Sequence, residues 1–216
     1  FRVSPGKRVG SRAMPWSIGN TGDTFAAMIA TLPKYYFDAV DPVSFLMDRE
    51  IRAVEDESGL RVTRVPFELR PAPAELTDPT DPFWASRWSE AQSLTAESLL
   101  VPHLVPRSRK AHELFLHAET SGLGRDALEE IFNAFFVKGL DIGRVDVLVG
   151  IGRSLGLDHT ETKAVLDVDR FEAEAGHLTE TADAAGVSIV PCLVTPDTRL
   201  EGFHNQAAIG TLLAGR

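Results

Sequence analysis

A single cysteine, Cys192, stands in a chain of 216 residues. A lone cysteine excludes an intrachain disulfide framework and any CxxC pair for metal or redox work. Basic residues are also short: 22 Lys and Arg face 31 Asp and Glu, a formal net charge of −9. That imbalance argues against nucleic acid or an anionic membrane as partner, because both are held by basic patches. No apolar run approaches membrane-spanning length. The six histidines fall at no metal-ligand spacing. His112 and His117 lie about 140° apart round a helix, and no HExxH pair exists, so no metal is expected. No internal repeat or low-complexity tract is visible. What remains is an ordinary globular composition, long enough for one sizeable core or one core with a large insertion.

The chain is organised around Lys34 to Met47, KYYFDAVDPVSFLM. Tyr35 to Val40 is aromatic and β-branched, as a buried strand is. Asp41-Pro42 stops it, since Asp is a preferred N-cap and Pro is favoured at the first helical position. Phe45, Leu46, Ile51 and Val54 follow at helical spacing. A helix that starts on a strand end aims free N–H groups and a positive dipole end at one place. That turn holds Asp41, Pro42, Val43 and Ser44.

The helix fades at Gly59, and Leu60 to Leu69 reads as a strand. Pro66 inside it calls for a sheet edge or a bulge. Helical segments follow at Phe83–Leu99, Ser108–Ser121, Arg125–Lys138, Arg144–Leu155, Thr160–Val168 and Arg170–Ala185. Asp158-His-Thr-Glu161 has the spacing of a capping box. Val187 to Val194 reads as an apolar strand, Leu200 to Gly202 as a short partner, and Asn205 to Leu213 as a closing helix. The first residues are basic and rich in Gly and Ser. They read as a flexible arm, residues 1–33, rather than a secretory signal. A cytoplasmic location is the simpler expectation.

Asp38-Ala-Val-Asp41-Pro42-Val-Ser44-Phe45-Leu46 resembles the D-x-x-C-P-x-C-x-L signature of DsbA-like thioredoxin-fold proteins. It is also similar to the S-P-x-S turn of 2-hydroxychromene-2-carboxylate isomerases and kappa-class glutathione transferases. Four stretches extend the resemblance, in order, to the polyketide-associated DsbA-like branch. Arg64-Val-Pro-Phe-Glu-Leu-Arg-Pro71 resembles W-x-P-F-x-L-x-P, and Ser108-Arg-Lys-Ala-His112 resembles the start of T-x-x-A-H-R-L. Leu128 to Ile142 resembles L-F-x-A-Y-F-x-E-G-x-D-I, and Gly186-Val-Ser-Ile-Val-Pro191 resembles the G-V-x-G-V-P loop, whose proline is cis in this fold. The resemblance implies an α/β, thioredoxin-like fold with an all-α insertion. The thioredoxin-like part would be residues 34–71 and 171–216, and the helical insertion 72–170. It also puts Asp41 where the nucleophilic Cys or the catalytic Ser would stand, and Ser44 at the second Cys or Ser. No dithiol can form there.

The candidate catalytic residues are Asp41, Ser44 and His112. At the helix start, Asp41 and Ser44 fit plain capping as well as chemistry. Asp41 could be a general base, and Ser44 could donate to a developing oxyanion. A negative Asp41 would also repel the thiolate of a glutathione-type ligand. His112 stands at the A-H position of the resemblance, or is a half-buried His bonded to backbone. The expected ligand wall takes in Asp38, Val43, Phe67 and Trp84 from the first half of the chain. Val190, Pro191 and His204 complete it. Asp38, as an acid on a buried strand, must be paired or have a raised pKa. Cys192, among apolar neighbours, reads as an inert core thiol.

The leading expectation is a non-redox isomerase or related proton-transfer catalyst on an aromatic or polyketide-like small molecule. It needs no cofactor. A second class is a thiol-dependent oxidoreductase or transferase, with a low-molecular-weight thiol such as glutathione. A third is a non-catalytic binding protein on the same scaffold. A small-molecule substrate is the expected partner, and a homodimer stays open.

Overall fold

The computed structural model describes residues 32–215, Thr77 excepted. The expected arm therefore lies, but for its last two positions, outside the described residues. The chain enters through β1 (Lys34–Phe37), whose last three residues are buried. It turns at Asp41 into α1 (Pro42–Ser58), which ends on Gly59 at φ 72. Only glycine takes that left-handed cap without cost. The crossover returns the chain to β2 (Thr63–Pro66), parallel to β1 in the register Lys34↔Thr63 to Phe37↔Pro66.

Helices α2 (Pro82–Leu94), α3 (Arg109–Glu119) and α4 (Gly124–Phe132) follow. The last runs into a π turn, Asn133–Val137. Then come α5 (Val145–Ser154), α6 (His159–Asp167) and α7 (Glu172–Ala184). The chain closes with β3 (Cys192–Val194), β4 (Arg199–Glu201) and α8 (Gln206–Leu213). Strand order is β2-β1-β3-β4, with β3 antiparallel to β1 and β4 antiparallel to β3. Pro66 therefore sits on an edge strand, where its missing N–H breaks no ladder.

Three strands are shorter than the apolar runs that announce them. β1 stops at Phe37, not Val40, because Asp38 starts a turn: its carbonyl accepts from Asp41 N–H at 3.1 Å. The run from Leu60 pairs only from Thr63. Val187 to Pro191 is loop rather than strand, with Val187 N–H closing α7 on Ala182 O at 2.9 Å and the Val190-Pro191 bond cis. α2 ends at Leu94, five residues before the expected Leu99.

The core sits where the helices between β2 and β3 meet β1 and α1. Phe37 of β1 packs edge-on against Phe115 of α3 at 5.3 Å. Phe45 of α1 stacks on Phe136 at 5.1 Å. The π turn, closed by Lys138 N–H on Asn133 O at 2.9 Å, carries one extra residue per turn. It leaves Phe132, Phe135 and Phe136 all buried. On another side, α1 is held to β2 by buried ion pairs. Arg64 reaches Asp48 at 2.8 Å and Glu55 at 3.0 Å, and Arg52 reaches Asp48 at 2.6 Å. α1 is thus held from both faces.

Candidate functional site

Asp41 is fully buried at the start of α1. Its Oδ2 accepts from Ser44 N–H and from Ser44 Oγ–H, both at 2.7 Å. The first bond is the cap that the Asp-Pro start implies. The second turns the Ser44 hydroxyl proton toward Asp41 and away from any incoming oxyanion. Ser44 Oγ accepts in turn from Asp38 N–H at 3.4 Å, and Ser44 O accepts from Tyr35 Oη–H at 2.6 Å.

A residue that sequence reasoning passed over completes this corner. Arg87 of α2 donates from Nε to Asp41 Oδ1 at 2.8 Å and from Nη2 to Asp41 Oδ2 at 2.7 Å. Nη2 also donates to the Val190 carbonyl at 2.7 Å, and Nη1 to Glu90 Oε2 at 2.9 Å. The fork is the bidentate geometry that makes arginine–carboxylate pairs strong. The guanidinium thus spans the helix start and the cis-proline loop, the space in which the sequence leads one to expect an open cleft. The signal for it was present: Trp84, Arg87, Trp88 and Ala91 form one buried stripe of α2. An arginine inside such a stripe must have a buried acid to meet.

Asp38 lies beneath this corner and is also fully buried. It has no arginine or lysine partner among the described residues. Its Oδ1 accepts from Val40 N–H at 3.2 Å and its Oδ2 from Leu69 N–H at 2.8 Å. Burial raises its carboxyl from 3.8 to about 7, against the pull of those two N–H groups and of the Ser108 hydroxyl. His112 of α3 approaches Asp38 Oδ1 to 3.6 Å with Nε2. The same Nε2 accepts from Ala39 N–H at 3.2 Å. A ring nitrogen that accepts carries no proton, so the imidazole is neutral with its hydrogen on Nδ1. Burial, helped by the Arg109 charge, lowers its pKa to about 3. Asp38, Val40, Trp84 and Ser108 line a hollow of about 10 Å3, whose mouth is formed by Arg70, Glu75, Leu76 and Arg107. That volume holds about one water.

The other candidates fall in four places. Val43 is buried in the main core. Phe67, Val190 and Cys192 share a smaller apolar cluster with Tyr36 and Val65. There burial pushes the Cys192 thiol up to about 11, which keeps it protonated. Pro191 follows Val190 in the cis loop, next to the Arg87 bridge. His204 stands apart, half-buried, with Nε2 3.2 Å from Glu201 O. Structure therefore brings together Asp41, Ser44, Asp38, His112 and Val190, and leaves His204 outside. No group of three or more His, Cys, Asp or Glu among the described residues is arranged to hold a metal. No described helix is long and apolar enough to cross a membrane.

Known proteins show the same architecture. The chain is 28% identical over 179 residues to the uncharacterised protein YwbO of Bacillus subtilis (strain 168), covering 78% of this chain and 88% of that one. Its fold superposes on a probable DsbA oxidoreductase from Streptomyces coelicolor with a TM-score of 0.73 at 18% identity, over 85% of this chain and 88% of the other. A 2-hydroxychromene-2-carboxylate isomerase superposes with a TM-score of 0.68 at 17% identity, over 85% and 93%. At such identities these likenesses speak for fold alone. The model of the DSBA-like thioredoxin domain matches residues 34–213. With Asp41 and Ser44 in place of a cysteine pair, and a helical block between β2 and β3, the chain belongs to the DSBA-like thioredoxin domain family.

Proposed function

We propose that this protein is a non-redox member of its family that moves a proton on an aromatic or polyketide-like small molecule. Asp38, more than Asp41, is the group that gives and takes it. The observation that carries this reading is the fully buried Asp38 carboxyl, free of any cation and holding its proton up to about pH 7. A carboxyl poised near neutrality is matched to general acid–base work. Asp41 is the poorer base, because Arg87 clamps both of its oxygens. The neutral His112 beside Asp38 does not take that proton, because its Nε2 lone pair already accepts from Ala39 N–H; it keeps the carboxyl next to an uncharged ring. A substrate would sit at the mouth of the hollow above Asp38, where Arg70 and Arg107 suit an anionic oxygen and Leu76 an apolar ring. A cytoplasmic setting and a place in secondary metabolism belong to this reading.

A second reading is a binding protein that kept the scaffold and gave up catalysis. Two observations favour it: Arg87 ties Asp41 to the Val190 carbonyl, and the hollow at Asp38 holds only about one water. A thiol-dependent enzyme is the least supported, since the guanidinium fills the helix start and the Cys192 thiol stays protonated.

The test uses 2-hydroxychromene-2-carboxylate as probe, followed by ultraviolet absorbance with and without glutathione. The expected result is thiol-independent turnover that Asp38→Asn lowers by about 10²–10⁴, the usual worth of a positioned acid–base group. Turnover only with glutathione would move the protein to the thiol-dependent class. No turnover of this or related hydroxyaromatic acids under either condition would leave the binding reading.

A further inference from the structure

Far along the chain from Asp41, the surface keeps a concavity that the proton-transfer reading does not use. Leu100 and Leu104, in the segment between α2 and α3, face Leu140, just beyond the π turn, across a hollow of about 400 Å3. These three side chains are 47%, 46% and 43% exposed, which is costly for leucine unless something covers it. The floor is the buried ring of Phe135. Two backbone bonds hold the walls: Leu100 N–H donates to Phe136 O at 3.0 Å, and Leu140 N–H to Ala134 O at 2.8 Å. Both acceptors belong to the π turn, so the widened turn itself shapes the cavity. Gly139, at φ 66, lets the chain reverse against Leu100; a Cβ there would sit 3.4 Å from Leu100 Cδ1.

We propose that this hollow binds an uncharged, ring-bearing small molecule that carries one hydrogen-bond donor. Its volume lies in the range of roughly 300–1,000 Å3 that small-ligand sites occupy. The lining is apolar except for His103 and Asp141. No lysine or arginine lines it, so nothing there would draw an anion. A full cation would have to leave water for walls that are mostly leucine and phenylalanine. A neutral hydroxyl or N–H donor meets Asp141 or His103 without that cost, while the ring covers Phe135 and the leucines. The site stands independently of the proton-transfer reading.

The probe is N-phenyl-1-naphthylamine, an uncharged ring compound with one N–H, titrated into the full chain and read by its fluorescence. The expected result is saturable binding at one site. Leu104→Glu and Leu140→Glu should each weaken it at least ten-fold. Val168→Glu, at a side chain 70% exposed on another helix end, should leave it unchanged. Amide shifts on titration should gather at residues 100–104 and 139–141. Thermal melts confirm that both leucine variants stay folded, as half-exposed positions allow. Wild-type binding in both leucine variants, non-saturable uptake, or shifts centred elsewhere would overturn the proposal. So would sedimentation showing that the wild type self-associates and both variants separate it, since the surface would then join two copies of the chain.

Discussion

Two carboxylates three residues apart, Asp38 and Asp41, are equally buried and meet opposite fates. Asp41 is bound by an arginine from α2 and by the helix it caps. Asp38 has two backbone N–H groups, the Ser108 hydroxyl and a neutral imidazole nearby, and it keeps its proton up to about pH 7. Burial is the same; partners decide. A buried acid with a cation becomes a structural clamp, and one without becomes a titrating group. The corner at Asp41 therefore holds the helical block against the cis-proline loop, while the hollow at Asp38 holds a carboxyl that changes charge near neutrality.

The sharpest way to break that contrast is to take the cation away. Arg87→Met should leave Asp41 charged, buried and unpaired. Removing one partner of a buried pair costs about 3–5 kcal/mol. Equilibrium denaturation would read it as a lower midpoint with an unchanged slope. Adding Asp41→Leu to the same chain should recover much of the loss, because no lone charge then remains. If Arg87→Met alone costs nothing, the clamp is not one.

Proton linkage gives the next effect. Asp38 is raised from 3.8 to about 7, so between those values the folded chain holds a proton that the unfolded chain has released. Its contribution is present in acid and is lost as pH rises toward 7. His112 is lowered from 6.5 to about 3, so its contribution is present above 6.5 and is lost as pH falls. In the shared window, between about 4 and 6.5, the two trends oppose each other. Wild-type stability should be nearly flat there on this account. Asp38→Asn should leave the His112 trend, with stability falling in acid. His112→Gln should leave the Asp38 trend, with stability rising in acid. Each slope should approach about 1 kcal/mol per pH unit, read from denaturant midpoints at several pH values. Parallel curves for both variants would mean that the two groups are not the neutral pair described.

Ser44→Ala removes one hydroxyl donor from Asp41 but leaves the backbone cap and Arg87 in place. A loss of about 1.5–3 kcal/mol is expected, as for a hydrogen bond to a charged group. At the small end, His204→Ala should stay within about 0.5 kcal/mol, since the ring meets only the Glu201 carbonyl at a half-exposed position.

Much of this fold was legible in advance. The aromatic run, the Asp-Pro start and the Gly59 stop marked β1 and α1 through local chemistry alone. Pro66 announced an edge strand, and Asp158 caps α6 through Glu161 N–H at 2.8 Å as its spacing implied. The apolar run before Pro191 misled, because an apolar loop folded onto a core and an apolar strand have the same composition. Arg87 was missed for a different reason. Apart from Glu90 on its own helix, its partners Asp41 and Val190 lie 46 and 103 positions away, so no local window contains the clamp. The apolar stripe on α2 said that the arginine was buried; nothing local said with what. The same holds for Arg64, which meets Asp48 and Glu55 across the βα crossover.

The sequence by itself determined where α1 starts and stops, that no dithiol exists, and that two acids flank the helix start. Those properties depend on neighbours a few residues apart, where capping, turns and periodicity act. Only the tertiary structure decided which acid is neutralised and which retains a proton, whether the helix start is open or closed, and where a hollow remains. Those outcomes rest on long-range pairing and on loss of water, and both exist only once distant segments have packed together.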